Sequence, residues 1–74
     1  MDNLNEKEFL LAFGKNLRLL RKEKGLTQEE LANELDVEIS QISRIERGVI
    51  STSVSNCFKI SKVLKISIQD LFVF

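Results

Sequence analysis

Residues 27–48 encode two short amphipathic helices joined by a tight turn, and no other feature restricts the fold so far. Thr27 can cap the first helix, Glu30 completes a capping box, and Leu26 with Leu31 makes a hydrophobic staple. Leu31, Ala32 and Leu35 then face inward at helical spacing. Asp36 breaks the pattern, a role open to Asp because it tolerates positive φ. Val37 anchors the turn, Ile42 and Ile45 form the core pair of a second helix, and Gly48 ends it. Leu31, Leu35, Val37, Ile42 and Ile45 fill the angle between the helices, and Ala32 is small where they approach.

The flanking sequence extends the same plan. A first helix over 5–24 has Asn5 as cap, Glu8 as box partner and Leu4 with Phe9 as staple. Leu10, Phe13, Leu17 and Leu20 form its apolar stripe, and Gly25 ends it. Gly14 in mid-helix costs about 1 kcal/mol against Ala; it marks a kink, a close contact or a later start. The bihelical unit supplies helices over 28–35 and 39–47. Ser53 caps a helix over 54–64, with Val54, Cys57, Phe58, Ser61 and Leu64 on one side. Ser67 caps a last helix over 68–73, with Asp70 as box partner. Residues 1–74 thus read as one all-α domain of five helices with short joints. Such a small domain buries only about 60% of its unfolded surface, so a partner subunit would add needed stability.

Composition removes whole classes of chemistry. With no histidine, the commonest general base and metal ligand is missing. No phosphate-binding glycine loop, metal-ligand cluster or paired carboxylates point to an enzyme, and no cofactor is expected. Cys57, the lone cysteine, reads as a core thiol in a reducing compartment. No apolar run approaches the ~20 residues of a membrane span, and the polar, acidic start is no secretory signal. A cytoplasmic, bacterial or phage-encoded protein is expected. The formal net charge is zero, but the charges are sorted. Lys15, Arg18, Arg21, Lys22 and Lys24 cluster in one block, and Glu29, Glu30, Glu34, Asp36 and Glu38 in the next. A neutral chain can therefore carry a positive and a negative face.

The runs GKNLRLLRKEKGLTQEELANEL, ISRIERG and KISKVLKISIQDLF, within about Phe13 to Phe72, resemble the Cro and phage-repressor type helix-turn-helix family. The resemblance implies a compact, lambda-repressor-like DNA-binding domain whose second and third helices form the helix-turn-helix, with double-stranded DNA as partner. It implies that helix 3 reads bases in the major groove through Ile39, Ser40, Ser43 and Arg44. Arg44 would bond a guanine edge and Ile39 touch a thymine methyl. Gln28 matches a family phosphate contact at a helix N-terminus, with Arg47, Lys15 and Arg18 as further phosphate candidates. Arg21 and Glu46 match an internal ion pair. Glu29 and Glu30 present either a solvated face or, as in activating relatives, a contact for the RNA polymerase sigma subunit.

Three departures stand out. Glu38 replaces the usual Ser or Thr cap of the recognition helix, and repels phosphate unless it accepts from a cytosine amino group. The 49–52 loop carries no base. Lys65 holds a turn position usually occupied by Gly.

The carboxyl end, Leu71-Phe72-Val73-Phe74, is apolar throughout and cannot all face one small core. Together with Val63, these residues are expected to form a symmetric dimer face. The expected function is that of a homodimeric regulator on a palindromic operator, of the restriction–modification controller or small phage-repressor kind. The alternative is a protein-interaction module, such as an antitoxin or polymerase-contacting factor, with DNA binding secondary.

Overall fold

The computed structural model describes residues 3–74. Its elements are α1 (Glu6–Glu23), α2 (Gln28–Leu35), α3 (Ile39–Glu46), α4 (Val54–Leu64) and a closing 3-10 helix (Ile68–Phe72). No strand occurs among the described residues. The all-α expectation holds, but the fifth helix is a single short 3-10 segment. Its start is pinned by Asp70, whose carboxylate accepts from the Ser67 N–H at 3.2 Å.

Local signals fix the helix ends. Asn5 Oδ1 accepts from the Glu8 N–H at 2.8 Å, and Glu8 accepts from the Asn5 N–H at 3.2 Å. The same reciprocal pair at Thr27 and Glu30 opens α2, at 3.0 and 2.8 Å. Both boxes satisfy amide groups that a helix start leaves without partners. Gly25 and Gly48 end α1 and α3 with φ of +74°, a conformation without steric cost only for glycine. Asp36 and Lys65 adopt the left-handed region too, each with φ of 57°.

α3 lies against both α1 and α2, α4 covers α2, and the closing helix ties α4 to α1. Leu17, Leu31, Ile42, Ile45, Ile60, Leu64 and Leu71 are fully buried, each contributing about 1.5–3 kcal/mol relative to exposure. Gly14 lies in unbroken helix, and its role is close contact. A Cβ there would sit 2.3 Å from the carbonyl oxygen of Ile45 and 2.5 Å from that of Glu46. The backbones of α1 and α3 therefore touch.

Two expectations require correction. On α4 the buried face is Cys57, Ile60, Ser61 and Leu64, whereas Val54 and Phe58 face solvent at 81% and 54% exposure. Lys62 instead lies over the Phe58 ring, 5.3 Å from its centre. Leu71 is not available to a partner, because it is fully buried within the protomer. Asn16 secures that segment by donating to the carbonyls of Asp70 and Leu71 at 3.0 and 2.9 Å. Phe72 is half-buried, with its ring 5.3 Å from Phe13 and 6.5 Å from Phe9. Val63 is also half-buried against the core. Of the five residues assigned to a dimer face, Val73 and Phe74 are exposed. Phe74 still meets Phe9 edge-on at 5.6 Å.

Candidate nucleic-acid interface

α3 divides cleanly into two faces. Ile42, Ile45 and Glu46 are buried, while Ile39, Ser40, Arg44 and Arg47 are exposed and Ser43 is half-buried. An apolar Ile39 left 47% exposed at the first position of a helix is unusual for packing alone, and it adjoins Ser40 on the outer face. Arg47 caps the helix end and donates through Nε to Ser43 Oγ at 3.3 Å. That bond uses one lone pair of the Ser43 hydroxyl, leaves its O–H to donate elsewhere, and draws Arg47 along the outer face. Glu38 is the N-cap of α3, is exposed, and makes no capping hydrogen bond. The residue thus puts a carboxylate at the start of the helix without using it as a cap.

The start of α2 adjoins the end of α3. Gln28 is half-buried and donates through Nε2 to Glu46 Oε1 at 3.0 Å. Glu46 is at the same time the partner of Arg21, with Arg21 Nε to Oε2 at 2.6 Å and Nη2 to Oε1 at 3.0 Å. Arg21 Nη1 donates to the carbonyl of Leu26 at 2.7 Å. Both charged side chains of the pair are nearly inaccessible, at 6% and 2%. The hydrogen bond to Glu46 raises the Arg21 pKa above its ordinary value; burial opposes this and the charge attraction adds to it. Among the described residues, no buried side-chain nitrogen or oxygen is left without a partner. One guanidinium thus joins the end of α1, the approach to α2 and the end of α3.

Other candidate residues lie apart from this cluster. Lys15 and Arg18 are exposed on α1 and, with Leu19, Lys22, Val73 and Phe74, line a separate open groove. Glu29 and Glu30 are exposed on α2, but the Glu30 carboxylate is engaged in the capping box. Sequence reasoning missed the Gln28–Glu46 bond and the Asn16 clamp. Neither has a local signal, since their partners lie 18 and about 54 residues away.

The profile of the helix-turn-helix family matches residues 17–71. The chain belongs to that family. As a helix-turn-helix protein it is a DNA-binding transcription regulator of all-α build. It is 43% identical over 65 residues to control protein C.BamHI of Bacillus amyloliquefaciens, covering 86% of this chain and 80% of that protein. It is 41% identical over 63 residues to control protein C.MunI of a Mycoplasma species, covering 84% and 85%. Its fold is similar to the crystal structure of the restriction-modification controller protein C.AhdI from Aeromonas hydrophila. The TM-score is 0.81, with 40% identity over 85% of this chain and 96% of that one. No helix among the described residues of this helix-turn-helix chain is long and apolar enough to cross a membrane.

Proposed function

We propose that this chain is a regulator of the restriction–modification controller kind that binds a palindromic operator as a homodimer in the cytoplasm. The observation that carries the reading is the two-faced α3. Its inner side is sealed in the core, and its outer side offers Ile39, Ser40, Arg44 and Arg47. A helix so mounted can enter a major groove with its N-terminal residues against base edges. Arg44 reads guanine, Ile39 contacts a thymine methyl, and Gln28 and Arg47 hold phosphates. Similarity to C.BamHI, C.MunI and C.AhdI over most of each chain supports the controller reading. Dimerisation through the exposed apolar end of the chain, Val73 and Phe74, places two α3 helices one DNA turn apart, about 34 Å. Glu38 sets specificity by exclusion, rejecting sites that bring a phosphate or acceptor edge to the mouth of α3.

Selection of bound duplexes from a random library tests the whole reading. The expected result is a palindrome whose half-sites contain guanine. Arg44→Ala then weakens binding about tenfold to a hundredfold and relaxes the guanine preference. Binding weakens steeply with salt, each phosphate contact adding about −0.9 to the logarithmic slope. Sedimentation as a monomer at micromolar concentration, with and without DNA, would refute the dimer. Salt-insensitive association with no sequence enrichment would instead favour the protein-interaction module, toward which the zero net charge already leans. Contact of Glu29 with the polymerase sigma subunit is tested by charge reversal. Unchanged activated transcription from Glu29→Lys removes that role.

A further inference from the structure

We infer that Glu46 is a positioning residue for Gln28, so that the buried ion pair and the phosphate anchor form one device. The inference rests on the DNA-binding reading above. A carboxylate only accepts hydrogen bonds, so Glu46 dictates which end of the Gln28 amide faces it. Nε2 must turn inward, as it does at 3.0 Å. The same oxygen, Oε1, also accepts from Arg21 Nη2 at 3.0 Å, while Oε2 accepts from Arg21 Nε. Glu46 is itself immobilised, because two guanidinium nitrogens hold its carboxylate in a fork. Arg21 is immobilised in turn by the Leu26 carbonyl just before the α2 cap.

The consequence lies in what Gln28 has left to offer. One Nε2 hydrogen is committed to Glu46, and the second is uncommitted among the described residues. The capping box engages the amide groups of Thr27 and Glu30. Among the described residues the amides of Gln28 and Glu29, the first two of α2, have no acceptor. Two backbone donors and one side-chain hydrogen are therefore left at the first turn of α2, where the fixed amide also holds Oε1 in one place. A free glutamine would have to be ordered when phosphate binds; this one is ordered beforehand. Removing such an ordering cost improves affinity about twofold to tenfold per side chain. Glu46 never needs to approach the DNA, and its charge is neutralised by Arg21.

The test has two arms. In the first, NMR relaxation of the Gln28 side-chain amide is measured in the free native chain and compared with that of exposed Gln69. A rigid Gln28 amide beside a mobile Gln69 amide is expected, and equal mobility overturns the inference. This arm needs no variant to fold. In the second, a labelled mixed-sequence DNA duplex at low salt probes phosphate affinity. Gln28→Ala is compared in the native background and in Arg21→Met/Glu46→Leu, which removes both charges together. Its effect is expected to be twofold to tenfold smaller in the second background. An equal effect in both folded backgrounds means that Gln28 acts without Glu46, and overturns the inference while leaving DNA binding intact. No binding by the native chain overturns the DNA reading itself, and with it the role given to Gln28, even where the amide is rigid.

Discussion

Replacing Glu46 with alanine strips Arg21 of the acceptor for both Nε and Nη2, and leaves only Nη1 bonded, to the Leu26 carbonyl. Arg21 is 5% exposed, so water cannot take over both donors without opening the junction of α1, α2 and α3. Nor can the residue shed its charge, because a guanidinium does not deprotonate in a protein. The cost is that of a buried ion pair broken from one side, about 3–5 kcal/mol. A domain of 74 residues has a total stability of about 4–11 kcal/mol. Glu46→Ala is therefore expected to remove between about a quarter and all of it. In a thermal melt the midpoint falls by at least about 12 °C, taking about 4 °C per kcal/mol as the lower bound for this size. Urea unfolding followed by helical circular dichroism gives the free energy directly, with the slope checked for constancy. Arg21→Met/Glu46→Leu, which removes both charges, is expected to recover most of the loss, because apolar replacement of a buried pair is often neutral. A loss under about 1 kcal/mol for Glu46→Ala, or a double variant worse than the single, would refute the reasoning.

Four further outcomes are expected. Gly14→Ala gains about 1 kcal/mol of helix propensity but drives a methyl into two backbone carbonyls. These cannot rotate away, so a net loss of about 2 kcal/mol is expected in urea unfolding. Lys65→Gly relieves a left-handed residue with φ of 57° and raises stability by about 0.5–1 kcal/mol after the larger unfolded-state freedom of glycine is counted. Burial pushes the Cys57 thiol up, so the folded chain holds that proton more tightly than the unfolded one. The resulting stability is intact below the ordinary thiol range, about 8.5, and is lost as pH rises through it toward the raised native value. Aromatic disulfide reagents are expected to modify Cys57 only as fast as the chain opens, and rapid modification of the folded state would contradict this.

Helix termini were legible because capping is local chemistry. Asn5 with Glu8 and Thr27 with Glu30 lie three residues apart, and their reciprocal bonds follow from that spacing. The face of α4 was not legible. Its sequence allows an apolar stripe through Val54, Cys57, Phe58 and Leu64 as readily as one through Cys57, Ile60 and Leu64. The cover that α4 provides over α2 and its contact with the closing helix decide between them. The run Leu71–Phe74 correctly signalled a divided environment, but not that Leu71 would take the inward share. The outer face of α3 was legible from the inward spacing of Ile42 and Ile45, whereas the bond from Gln28 to Glu46 depends on how α2 and α3 dock.

The contact at Gly14 has a consequence for how this protein can discriminate among DNA sites. Side chains between two helices act as a compliant gasket, allowing one to rock on the other as rotamers change. Here the last carbonyls of α3 press directly on α1 backbone, with no such cushion. On the proposed reading of α3 as the groove-entering helix, this contact restrains its tilt against α1. Adaptation to an imperfect operator must then come from the DNA, whose bending and groove width vary with sequence. On that reading, mismatched sites are expected to be discriminated partly by their stiffness, including at base pairs that no side chain reaches.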